Sequence, residues 1–171
     1  MLSRTITLLA LMLLGTGSLF AQPTRTITDN DLVGNQTYNW SADTIYQLDG
    51  LVYLEEGGIL NIEAGTRIEG LAVASNPDEK SSLIITRGAQ IFAEGTAAAP
   101  IVFSAEGNDD LGADIIQDRG SWGGLIILGR GPISDDFDQG VANIEGITAT
   151  DRTEFGGGMN PIDDDNSGVL R

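Results

Sequence analysis

The sequence predicts an all-β solenoid, a stack of short-stranded coils, and three observations carry that prediction. Residues 51–66 write one small pattern twice: apolar, any, apolar, two polar or small residues, then glycine, so that Val52, Leu54 and Gly57 recur as Leu60, Ile62 and Gly65. Leu60, Ile62, Gly65 and Ile68 then return at Leu83, Ile85, Gly88 and Ile91, an offset of 83 − 60 = 23. Glycines at 57, 58, 65 and 70 punctuate the apolar runs, supplying the positive φ that tight corners need. A strand of four or five residues with alternate inward side chains buries no core alone, whereas copies stacked along an axis share one.

The elements follow in order. Met1 to Arg4 carries one positive charge, Thr5 to Phe20 is mostly apolar with no acid, and small Ala21 precedes Gln22. Residues 1–21 therefore read as a secretory signal peptide cut after Ala21, too short in its apolar run to span a membrane. Residues 22–45 are expected to form a lead-in and N-terminal cap, because the segment around Trp40 does not obey the repeat and the open end of a first coil needs a cover. Coils are expected over 46–171, with strands in 46–54, 59–62, 66–68, 83–86, 90–93, 101–103 and 122–128. A further short strand is expected within 141–147. Residues 74–81, 105–120, 133–138 and 148–167 have loop composition. Gly168 to Arg171 begins another apolar strand, which leads to the expectation that the coils are the N-terminal part of a longer helix.

Composition narrows the function. The formal charge is −16; without residues 1–21, which hold Arg4 and no acid, it is 8 − 25 = −17. Such a surface repels nucleic acid. The acids gather in three segments: Asp109, Asp110, Asp114 and Asp118; Asp135, Asp136 and Asp138; Asp163, Asp164 and Asp165. With no cysteine there is neither disulfide nor lipid-attachment site, and with no histidine there is no His-based triad and no His-ligated zinc. Glycosidic hydrolysis needs two carboxyl groups about 5 to 10 Å apart, but in so acidic a chain such pairs arise without selection.

Two constellations are candidates for a site. Asp163, Asp165 and Ser167, with Gly168 at the sixth place, match the first half of a calcium loop. The closing acid would fall at position 174, and the glycines at 156–158 with Pro161 rule out an entering helix, so calcium stands beside the plainer reading of an acidic turn. Trp122, three residues after Arg119, offers a sugar ring a stacking face and a hydrogen-bonding fork. A tryptophan next to Gly123-Gly124 equally suits packing over the core at a close backbone approach, and the glycines favour packing.

Residues 46–70, Ser82-Leu-Ile-Ile-Thr-Arg-Gly88, Ala93-Glu-Gly-Thr96, Pro100-Ile-Val-Phe103, Asp118-Arg-Gly-Ser-Trp-Gly-Gly-Leu-Ile-Ile-Leu-Gly129, Ile144-Glu-Gly146 and residues 163–171 resemble a family of exported bacterial right-handed parallel β-helix proteins. Members are often described as secreted proteins or lipoproteins, and many end in a type IX secretion sorting domain, which this chain does not show. The resemblance implies a right-handed parallel β-helix, export and a place outside the cell, and it supplies no catalytic residues. The expected function is a non-enzymatic module, secreted or at the cell surface, for adhesion or for binding carbohydrate or surface components, with calcium as the one cofactor to test. The alternative is a scaffold within a polysaccharide lyase or glycoside hydrolase whose active site lies outside this chain.

Overall fold

In the computed structural model, which describes residues 21–72, 80–108, 120–134 and 140–171, strands of two to four residues follow one another round three parallel sheets. In chain order they are β1 (Thr24–Ile27), β2 (Thr37–Trp40), β3 (Ile45–Leu48), β4 (Leu51–Leu54), β5 (Ile59–Ile62), β6 (Arg67–Gly70), β7 (Ser82–Ile85), β8 (Gln90–Ala93), β9 (Val102–Ala105), β10 (Gly124–Ile127), β11 (Ala142–Asn143), β12 (Glu154–Phe155) and β13 (Gly168–Leu170). The first sheet runs β1-β3-β6-β9, the second β4-β7-β10 and the third β2-β5-β8-β13, while β11 and β12 form a small antiparallel pair outside them. The chain visits the sheets in turn and climbs one rung each time it returns to the same sheet. This is the predicted right-handed parallel β-helix, in the hand that twisted parallel strands prefer for their crossovers.

The register corrects one of the two periods. The eight-residue recurrence joins neighbouring sheets, from Leu51 to Ile59 and again from Ser82 to Gln90. The rung-to-rung offset is 68 − 46 = 22 for Tyr46 on Ile68 and 83 − 52 = 31 for Val52 on Leu83. Leu83 therefore stacks on Val52, not on Leu60 as a 23-residue period implies. The cause is a corner of variable length: Asp49-Gly50 links β3 to β4, whereas residues 71–81 occupy the same corner one rung later. At the next corner, between the second and third sheets, the left-handed residue keeps step with the strands. Asn35, Gly57 and Gly88 have φ of 57°, 76° and 78°, the Gly57 N–H donates to the Gly88 carbonyl at 3.0 Å and the Asn35 N–H to the Glu56 carbonyl at 3.2 Å.

The coils begin earlier than Tyr46. Within residues 22–45, read as lead-in and cap, β1 pairs in parallel with β3 and β2 with β5, and Ile27, Leu32 and Trp40 are buried in the main core. The Trp40 ring stacks on Tyr46 at 4.4 Å between centroids, and the Tyr46 hydroxyl accepts from the Ser41 N–H at 3.0 Å. Trp40 breaks the aliphatic pattern in the column that Ile62 and Ala93 fill on later rungs. On this first edge strand Arg25 lies in register with Tyr46 and is exposed, and a charge on an edge strand discourages pairing with another chain.

Alternation sorts inward from outward residues. Val52, Leu54, Leu83 and Ile85 of the second sheet, Leu60, Ile62, Ile91 and Ala93 of the third, and Leu48 and Ile68 of the first fill the cylinder. Gly70 occupies the same column as Leu48, and the space its missing side chain leaves is taken by Trp122: a Cβ on Gly70 would sit 2.7 Å from the Trp122 Cβ.

Candidate functional site

The cylinder has three outer faces, and that of the second sheet is covered. Tyr53, Ile84 and Ile126 occupy one register row on the second sheet, facing away from the axis. Tyr53 and Ile84 are nevertheless buried, because the excursion between β10 and β13 folds back and lays Ile144, Ile147 and Phe155 on them. Arginines fasten it. Arg152 pairs with both Asp29 carboxylate oxygens, lies 2.7 Å from Glu55 Oε1, and has its guanidinium 3.8 Å from the centroid of the Tyr53 ring. The hydrogen bond to Asp29 holds the Arg152 pKa above its ordinary value. Arg87 reaches Glu154 at 2.5 Å and donates to the Gly156 carbonyl at 3.0 Å, and Arg130 pairs with Glu56.

On the outer face of the first sheet a polar cluster covers part of β6 and β9, while Thr24 and Thr26 of β1 are exposed and Ile45 and Gln47 of β3 half-buried. Arg67 Nε donates to Glu69 Oε1 at 2.5 Å, and its Nη2 donates to the Asn108 carbonyl at 2.9 Å and reaches Ser104 Oγ at 3.5 Å. Glu69 and Ser104 are buried beneath it.

Among the described residues no apolar cluster covers the outer face of the third sheet. Its outward rows are Thr37, Ile59 and Gln90, and beside them Asn39, Asn61, Phe92 and Val169, one residue per rung. Thr37, Asn39 and Val169 are exposed and the rest half-buried. Asn61 Nδ2 donates to Asn39 Oδ1 at 3.0 Å; among the described residues Asn39 Nδ2 and Asn61 Oδ1 have no other hydrogen bond. No side chain in these rows is charged. Carboxylates line both borders: Asp43, Glu63 and Glu94 at the corner leading to the first sheet, Glu56 and the 163–165 turn at the other. The Asp43 pKa is lowered from its ordinary value because the Ser41 hydroxyl and then the Thr44 hydroxyl donate to it.

The residues singled out from sequence are dispersed. Trp122 is half-buried against the main core over Gly70, the packing arrangement that its glycine neighbours favoured. Arg119 lies outside the described residues, as do residues 1–20 of the leader and the aspartates at 109, 110, 114, 118, 135, 136 and 138. In the acidic turn, Asp165 Oδ2 accepts from the Arg130 N–H at 2.9 Å and from Ser167 Oγ at 3.4 Å, while Asp163 and Asp164 are exposed. Gln90 Nε2 donates to the Asn166 carbonyl at 2.9 Å, tying the turn to β8. Among the described residues no group of three or more acidic side chains is arranged to hold a metal ion, and no helix is long and apolar enough to cross a membrane. Sequence reasoning missed Asn39, Asn61 and Phe92. The signal was the alternation within Leu60-Asn-Ile62 and Ile91-Phe-Ala93, which marks the middle residue as outward.

Three parallel sheets wound round one apolar interior define a parallel β-helix. Residues 33–171 match the model of the pectate-lyase-like β-helix domain, and the chain belongs to that family. No curated protein and no solved structure matches the chain.

Proposed function

We propose that this chain is a non-enzymatic, exported β-helix module that binds polysaccharide on the outer wall of its third sheet. The observation that carries the reading is the outer wall of the third sheet, which presents side-chain amides, a hydroxyl and the Phe92 ring in straight rows, whereas that of the second sheet is sealed by Ile144, Ile147 and Phe155. Sugars are recognised by that combination, hydrogen bonding at the hydroxyls and apolar contact at the ring faces. The rigid stack holds the rows at the roughly 4.8 Å rung spacing of a sheet, so the binding groups are preorganised. Export and a place at the cell surface rest on the leader-like residues 1–21 and on the acidic, cysteine-free composition.

The test is retention of the protein in native gels containing dissolved polysaccharides, with Phe92→Ala and Asn61→Ala as face variants. Retention that is lost in both variants, while their melting temperatures stay near wild type, supports the proposal. Equal migration with every polysaccharide overturns it. The second reading, a scaffold within a polysaccharide-processing enzyme, draws support from the pectate-lyase-like character of the family. Release of unsaturated or reducing sugar ends by the full-length protein would select it.

A further inference from the structure

We infer that the cleft between the second sheet and residues 144–148 is a binding site for a short apolar peptide with free ends, its carboxylate on Lys80 and its ammonium on Glu145. The cleft has a volume of about 440 Å³, within the range of small-molecule sites. It lies on a different sheet from the polysaccharide rows, so the two sites can be tested separately. Side-chain size opens it. Leu51, Ser82 and Gly124 share one outward register row, so the row shrinks from an isobutyl group to a hydroxymethyl group to nothing as it climbs. A Cβ on Gly124 would meet no atom within 4 Å beyond its chain neighbours. Residues 144–148 of the excursion supply the other wall.

The lining sets the chemistry. Leu51, Ile126, Ile144 and Ile147 pack on the cluster of Tyr53, Ile84 and Leu128 and are only half-buried by it, so the cleft they line offers aliphatic side chains an apolar surface. Lys80 belongs to the wall of the sheet and Glu145 to that of the excursion. Both are exposed, and among the described residues neither side chain has a hydrogen bond or an ion pair, with the other or with any other group. An unpaired cation and an unpaired anion on opposite walls complement a ligand that carries both charges at separate ends. A free α-amino acid holds its two charges on one carbon, whereas a second residue moves them apart by about 3.3 to 3.6 Å. Terminal carboxylates and amines are recurrent handles for peptide recognition. The walls are also fixed before any ligand arrives, which lowers the cost of binding: the Ser82 hydroxyl donates to the Lys80 carbonyl at 3.0 Å, and the Ile144 N–H donates to the Thr153 carbonyl at 3.1 Å beside the Arg152 clamp.

The experiment is calorimetric titration of the full chain with leucyl-leucine, N-acetyl-leucyl-leucine, leucyl-leucinamide and free leucine. The expected result is binding of leucyl-leucine that weakens about tenfold or more when either end is blocked, the loss of one charge-assisted hydrogen bond. Lys80→Met and Glu145→Gln change exposed side chains, so both variants should fold, and each should weaken leucyl-leucine by a similar factor. Their selectivity identifies the partners: Lys80→Met should bind leucyl-leucine and its amide alike, and Glu145→Gln should bind leucyl-leucine and its N-acetyl form alike. No binding of leucyl-leucine by the wild-type chain overturns the site. Equal affinity for the free and blocked dipeptides overturns the role of the two charges, and free leucine binding as tightly as leucyl-leucine overturns the peptide as the ligand.

Discussion

Ile84→Ala is the sharpest test of how the excursion between β10 and β13 is seated. By strand alternation Ile84 points out of the cylinder, yet its exposure is 0% because Ile144, Ile147 and Phe155 belong to the cluster around it. The substitution removes three carbons, worth about 0.8 kcal/mol each in transfer, or roughly 2.4 kcal/mol. A partly collapsed cavity adds to that, for a cost of about 3 to 4 kcal/mol. In a chain of this size the midpoint of thermal unfolding should fall by roughly 6 to 15 °C. Denaturant unfolding followed by fluorescence of Trp40 and Trp122 measures it directly, with Ile59→Ala, outward on the uncovered third sheet, as the control expected to cost less than half as much. The clamp should couple to it: in an Arg152→Met background, where Asp29 and Glu55 lose their partner, Ile84→Ala should cost at least about 0.5 kcal/mol less than alone. A cost below about 0.5 kcal/mol for Ile84→Ala in the wild-type background, the value for a solvent-facing position, would refute the seating.

The other expectations concern the core, the first corner and the acidic turn. Gly70→Ala places a methyl group 2.7 Å from the Trp122 Cβ and should destabilise by about 1 to 3 kcal/mol through overpacking; combining it with Trp122→Ala should recover part of that loss, which thermal melts of the three variants would reveal. Asp31 accepts from the Thr28 hydroxyl and the Thr28 N–H, both at 2.7 Å, and the hydroxyl first, then the N–H, lowers its pKa below 3.8. A lowered folded-state pKa contributes stability that is complete above the unfolded value and is lost as pH falls through the folded one. The stability gap between wild type and Asp31→Asn should therefore be constant from neutral pH to about pH 5 and close below pH 3.8, and a gap that opens on acidification would contradict the assignment. Asp165→Ala removes the acceptor of the Arg130 N–H and of Ser167 and should cost about 1 to 2 kcal/mol. The cost should be equal in calcium and in chelator; a gap that widens in calcium assigns the turn to a bound cation.

Much of the fold is legible in residues alone, since the inward and outward positions of a four-residue strand differ in kind. Leu60-Asn-Ile62 and Ile91-Phe-Ala93 declare which side chains fill the cylinder, and Gly57 and Gly88 declare the corner, because few other residues adopt its positive φ. The vertical register was not legible. A coil whose corner holds two residues on one rung and residues 71–81 on the next has no constant period, and only backbone pairing places Leu83 on Val52. Consecutive apolar residues in Leu83-Ile-Ile85 signalled burial on both sides of β7. The cover came from Ile144 and Ile147, within the short strand expected over 141–147, and from Phe155, in residues read as loop, all far along the chain.

What the sequence determined by itself is therefore local: strand, corner, inward side, acidity and the exclusion of histidine and cysteine chemistry, each set by the properties of a residue and its near neighbours. What only the tertiary structure decided is that the outer face of the second sheet is covered. That outcome depends on Arg87, Arg130 and Arg152 meeting Glu154, Glu56, Asp29 and Glu55 across long stretches of chain, and inside the cylinder Trp122 falling into the gap at Gly70 is a contact of the same kind. Contacts of that separation follow from the stacking of the coils, and no pattern within a single coil encodes them.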